Sequence, residues 1–174
     1  GRKDIAQQYA KEAEAVRTAF TQHYFTEGGR IRNAPETQTA YLLSIAFDLI
    51  PAGLQKKAAG HLVELIRAAD GHLRTGFLGT PFIVSVLDRT GYTDMAFSVL
   101  FKETYPSWFY SIHQGATTMW ERWDSMLPDG SINPGTMTSF NHYAFGSVAD
   151  WLHRVVAGIA PWNFPLFLGI LKIG

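Results

Sequence analysis

The stretch ETQTAYLLSIAFDLIPAGLQKKAAGHLVELIRAADG, Glu36–Gly71, decides the fold. Tyr41, Leu42, Ile45, Ala46 and Leu49 fall on one face of a helix running from Glu36 to Ile50, which Pro51 and Gly53 close. Leu54 to Ala69 repeats the pattern with Leu62, Leu65 and Ile66 inward, and Asp70-Gly71 ends it. So short a connection makes the two helices antiparallel neighbours. Upstream, Asp4 to Phe25 carries Ile5, Tyr9, Ala13, Val16, Phe20 and Tyr24 at helical steps, with Gly28-Gly29 as the stop. Downstream, the turn-rich TGFLGT (Thr75–Thr80) precedes Pro81, which suits the first turn of a helix to about Arg89. Thr93 reads as the N-cap of a helix to Lys102, a loop follows through Pro106, and Gly115 to Trp123 has mixed character. Asp129-Gly130 and Asn133-Pro134-Gly135 are turns, and Ser139 to Ala157 reads as a last helix ended by Gly158. The pattern contains no convincing run of alternating strands, so the reading is all-α, built of antiparallel helical hairpins.

Composition narrows the function. Fifteen Lys and Arg balance fifteen Asp and Glu among 174 residues, which removes the basic excess that nucleic-acid binding needs. A hydrophobic fraction of 47% with only 17% charged residues excludes a disordered chain. Zero cysteines remove disulfides, thiolate metal sites and cysteine nucleophiles, and fit cytoplasmic and exported chains alike. Gly1 to Arg17 has no apolar signal core, and the tail Pro161–Gly174 is too short and too broken by proline to span a bilayer, so no membrane partner is expected. That tail reads as an edge strand, a docked segment or a truncated start of something further.

Most standard signatures are missing. There is no dinucleotide or P-loop glycine motif, no HExxH and no serine elbow. Six histidines show no metal-ligand spacing, and His61 with Glu64 on one helical face reads as a surface contact. Aromatic and polar residues crowd instead between Thr104 and Tyr143. In YPSWFYSIHQGATTMWERWD (Tyr105–Asp124), Glu121 stands between Trp120 and Trp123. A carboxylate walled by indoles is tuned toward proton transfer near neutrality, and indole faces suit the CH groups of a sugar ring. The same residues also fit a plain Glu–Arg pair with tryptophans filling a core. In TSFNHYA (Thr138–Ala144), Asn141, His142 and Tyr143 can all hydrogen-bond, and His142 joins a site only if it meets Glu121 in space. TGFLGT reads as a turn needing positive φ, with Phe77 able to reach the same pocket.

At these residues the sequence resembles the catalytic domain of the inverting α-L-rhamnosidases, glycoside hydrolase family 78. LRTGFLGTP (Leu73–Pro81), the Tyr105–Asp124 segment, SFNHYAFGSVADWLHR (Ser139–Arg154) and AGIAP (Ala157–Pro161) carry it. The resemblance implies an (α/α)6 toroid, Glu121 as general base and His142 beside the attacking water. It implies pocket roles for Trp108, Trp120 and Trp123, a rhamnose-containing glycoside or polysaccharide as substrate, and hydrolysis without metal or cofactor.

The sequence also departs from the family. An inverting glycosidase needs two carboxyls about 6.5–9.5 Å apart. The family's acid lies on an acidic, Arg-rich stretch upstream of the matching region, and Glu36, Asp70, Asp124 and Asp150 do not match its motif. Twelve helices of about 11–12 residues need more than roughly 200 residues, so residues 1–160 read as about half a toroid. The family continues past AGIAP into a β-domain, of which 161–174 could be the truncated start. Open faces of a half-toroid predict a homo-oligomer. The alternative is a non-catalytic helical remnant that binds sugar weakly or only self-assembles.

Overall fold

A computed structural model describes residues 2–161 and 171–173. Seven α-helices follow in order among them: α1 (Lys3–Tyr24), α2 (Gln38–Ala46), α3 (Ala52–Ala68), α4 (Ile83–Arg89), α5 (Thr93–Leu100), α6 (Trp108–His113) and α7 (Val148–Trp151). Single 3-10 turns at Thr80–Phe82 and Ala144–Ser147 lead into α4 and α7, and a π-turn at Leu152–Val156 extends α7. Strand β1 (Ile159–Pro161) pairs antiparallel with β2 (Leu171–Ile173), Ile159 opposite Ile173. Residues 162–170, most of the apolar tail, lie outside the described ones.

The all-α hairpin reading agrees with what is observed: α2 packs on α3 and α4 on α5, giving two helical hairpins. Tyr41, Leu42 and Ile45 of α2 meet Leu62, Val63 and Ile66 of α3 in one core that also takes Val84 and Leu87 of α4 and Trp151 of α7. Full burial of each such aliphatic side chain contributes about 1.5–3 kcal/mol. Local chemistry sets the ends. Thr37 caps α2 by accepting from the Ala40 N–H, and Ser107 caps α6 by accepting from the Tyr110 N–H. Pro81 sits in the turn that opens α4, as its fixed φ predicts.

Several boundaries need correction. The helix expected to reach Ile50 stops at Ala46, because Asp48 takes a positive φ of 52°. Thr93 is not an N-cap; Tyr92 holds that position, and the Thr93 hydroxyl donates to Asp88. The helix expected from Ser139 begins at Ala144, because the Ser139–His142 backbone bonds to Met119 and Glu121 instead of to itself. Helix α6 lies in the stretch that the sequence left without an element, and its Ser107 cap was the available signal.

The fold brings the functional loops together through the 3-10 turns. Thr80–Phe82 packs against Ala144–Ser147, so the TGFLGT loop and the NHYAFGS loop share one end of the helical body.

Candidate active site

Two backbone runs build the site. Glu121 N–H donates to Ser139 O at 2.8 Å, His142 N–H donates to Met119 O at 2.8 Å, and the Thr118 hydroxyl donates to Phe140 O. Thr118–Glu121 and Ser139–His142 therefore lie side by side. The pairing brings the backbones of Glu121 and His142, 21 positions apart in sequence, onto adjacent runs. No hydrogen bond joins the two side chains among the described residues.

Each side chain is held by a backbone amide. Ser139 N–H donates to Glu121 Oε2 at 3.0 Å, and Ala144 N–H donates to His142 Nδ1 at 3.3 Å. The His142 ring stacks on Tyr143 (centroids 5.1 Å, 16°) and approaches the Phe77 ring at 6.0 Å. The Asn141 side chain is exposed; its backbone is engaged by the Ser139 hydroxyl, which accepts from Asn141 N–H.

The tryptophans stand differently. Trp123 stacks on Phe145 (3.8 Å, 8°) and donates from Nε1 to Thr75 O at 2.9 Å. Trp108 meets Trp123 edge-on at 5.3 Å and donates to Phe145 O at 2.9 Å. Trp120 turns its ring to Phe140 at 5.4 Å. All three are buried. Trp108 and Trp123 thus direct their rings and Nε1 groups to Phe145, Thr75 and each other within the core. The three do line a common cavity of about 230 Å³ with Met119 and Phe145. A larger cavity of about 560 Å³ touches Trp123 from Arg74, Thr75 and Tyr105. Glu121 and His142 are each partly buried and line neither of these two cavities.

Neighbouring charges are already paired. Arg122 grips Asp124 with two bonds of 2.9 and 3.0 Å. Burial pushes the Tyr105 phenol up, and the nearby Asp124 carboxylate adds to it. His61 and Glu64 meet at 3.0 Å as a surface contact. Among the described residues no cluster of three His, Asp or Glu could hold a metal, and no helix is long and apolar enough to cross a membrane.

Sequence reasoning noted Tyr143 only as a hydrogen-bonding neighbour of His142, whereas its ring, 86% exposed, stacks on the imidazole, and it missed Ser139, whose amide holds Glu121. Tyr143 lies next to His142 in the quoted motif, which was signal enough; a backbone donor leaves none.

Residues 1–156 match the family described as bacterial alpha-L-rhamnosidase 6 hairpin glycosidase domain. An alpha-L-rhamnosidase of Formosa agariphila is 47% identical over 161 residues, covering 92% of this chain and 17% of that protein. One from Streptomyces avermitilis is 51% identical over 146 residues, covering 84% and 14%. The crystal structure of a Streptomyces avermitilis alpha-L-rhamnosidase complexed with L-rhamnose superposes with a TM-score of 0.85 at 48% identity, over 91% of this chain and 15% of that one. That of an Aspergillus terreus alpha-L-rhamnosidase gives 0.85 at 43%, over 92% and 18%. The chain thus spans under a fifth of the relatives it matches. Its helical hairpins, with the Glu121 and His142 loops at one end, are part of that six-hairpin architecture, and the chain belongs to the bacterial α-L-rhamnosidase six-hairpin glycosidase domain family.

Proposed function

We propose that this chain carries the base side of an inverting α-L-rhamnosidase site acting on terminal α-L-rhamnosides of glycosides or polysaccharides. The pairing of Thr118–Glu121 with Ser139–His142 supports this reading, because it sets a carboxylate and an imidazole on adjacent runs beside the exposed Phe77 ring. Glu121 takes a proton from water as the water oxygen bonds to the anomeric carbon, the bond to the leaving oxygen breaks, and the configuration inverts. Asn141 and Phe77 border the sugar, with Trp108, Trp120 and Trp123 beneath. The L-rhamnose held by the Streptomyces relative supports the sugar class.

The leaving oxygen needs a proton from a second carboxyl. The four remaining candidates each face a cation: Glu36 meets Arg30 at 2.8 Å, Asp70 meets Lys102 at 3.6 Å, Asp124 meets Arg122 at 2.9 Å and Asp150 meets Arg154 at 2.5 Å. A carboxylate engaged by a cation works as an acceptor, which supports an acid supplied from outside these residues. An activated aryl α-L-rhamnoside, whose phenolate departs without a proton, bypasses that lack. This chain is expected to hydrolyse such a substrate and to leave an alkyl rhamnoside intact. Glu121→Gln is expected to lower the aryl rate by about 10²–10⁴-fold. An unchanged rate in that variant removes Glu121 from the chemistry.

The exposure of Tyr9 and Val16 on α1, none of whose residues is buried, favours a second reading, a helical remnant that binds sugar weakly or only self-assembles. Calorimetric binding of rhamnose with no turnover of the activated substrate selects it.

A further inference from the structure

One atom of each central side chain is committed to the backbone, and the other has no hydrogen bond among the described residues. Ser139 N–H occupies Glu121 Oε2, and Ala144 N–H occupies His142 Nδ1. A backbone amide only donates, so the ring nitrogen that it meets must carry a lone pair rather than a hydrogen. In a neutral imidazole the proton then resides on the other nitrogen. Ala144 opens the 3-10 turn Ala144–Ser147, and its amide is among those that a helical start leaves without an internal partner. Nδ1 supplies that partner, which gives the contact a structural reason to exist before any substrate arrives. Stacking on Tyr143, the Phe77 contact and the bond from His142 N–H to Met119 O fix the ring around it.

We propose that the Ala144 amide fixes His142 as its Nε2–H tautomer, so that the neutral ring turns a donor rather than a lone pair toward the site, while the Ser139 amide leaves Glu121 Oε1 as the acceptor. The role given to Glu121 rests on the function proposed above; the state of His142 rests on the Ala144 contact. In the other tautomer, Nδ1–H would meet the Ala144 N–H head-on, two donors with no acceptor between them.

The test needs no turnover. In the 174-residue chain with ¹⁵N-labelled histidine, long-range proton–nitrogen correlation at about pH 8, where an ordinary imidazole is neutral, reads the tautomer directly. His142 is assigned by its contact with the Tyr143 ring and by the pattern lost in His142→Gln. The expected result is a dominant Nε2–H form with Nδ1 as a hydrogen-bonded acceptor. A dominant Nδ1–H form, or an even mixture of the two, overturns the proposal. Because hydrolysis is not the readout, this outcome separates from that of the Glu121→Gln assay.

Discussion

Trp123 supports the site through contacts that a smaller side chain does not reproduce. Its indole lies flat on Phe145, meets Trp108 edge-on and donates to the buried Thr75 carbonyl. Trp123→Ala removes all three and opens a void, so urea denaturation is expected to show a loss of about 3–5 kcal/mol. Trp123→Phe keeps most of the ring area but gives up the donor. Thr75 O retains one long bond from the Thr80 hydroxyl at 3.3 Å, which places the cost near the low end of about 1–3 kcal/mol. A Phe variant as stable as the parent would show that the Nε1 bond contributes nothing. Tyr143 is the contrast: its exposed ring predicts that Tyr143→Ala changes stability by no more than about 0.5 kcal/mol. At this scale the motifs around Glu121 and His142 were legible because unusual side chains cluster there. Whether an indole offers its face to a sugar or to Phe145 was not, since that depends on a residue 22 positions away.

Between α1 and α2 the chain doubles back through an antiparallel bridge of Phe25 with Ile31, and one buried phenol of α2 ties this hairpin to the core. Tyr41 is fully buried; its hydroxyl donates to Glu36 Oε1 at 2.5 Å and accepts from Ile31 N–H at 3.1 Å. Burial, then the Glu36 hydrogen bond, push its pKa well above the ordinary 10.0. A raised folded-state pKa gives stability that is complete below the unfolded value and is lost as pH rises through the folded one. Stability is therefore expected to fall above about pH 10, and more shallowly in Tyr41→Phe than in the parent. Equal alkaline slopes in denaturant titrations would remove Tyr41 from the effect. Gly29 secures the same hairpin: its φ is +81°, and a Cβ there would meet Ala58 N at 2.8 Å on α3. Gly29→Ala is expected to cost about 1–3 kcal/mol and to lower the melting temperature accordingly. Helix existence here was legible from periodicity, because α2 and α3 bury the faces that their sequences mark. The start of α7 was not. Ser139–His142 spends its backbone groups on Met119 and Glu121 instead of on a helical turn, a pairing between distant segments that no local pattern announces.

For the whole molecule, α1 is the element whose sequence and environment disagree. Its apolar stripe reads as a core face, yet none of its residues is buried; Tyr9 is 64% and Val16 is 61% exposed. Only Phe20 and Tyr24, near its end, pack against the core, beside an apolar groove of about 400 Å³ that Leu43 and Leu49 also line. A helix of 22 residues with so little tertiary packing is close to the limit of what stands alone in water. Burying the stripe against a second copy supplies the missing packing, which is the physical basis for expecting self-association. Helix content and assembly should then be coupled: on dilution, far-ultraviolet ellipticity falls in step with the sedimentation coefficient. Tyr9→Glu with Val16→Glu places charge in the stripe without touching Glu121 or His142, so it should yield a monomer whose α1 signal is already lost. A parent chain that sediments as a monomer at tens of micromolar with its helix content intact would mean that α1 holds its shape without a partner, and that its stripe serves no interface between copies.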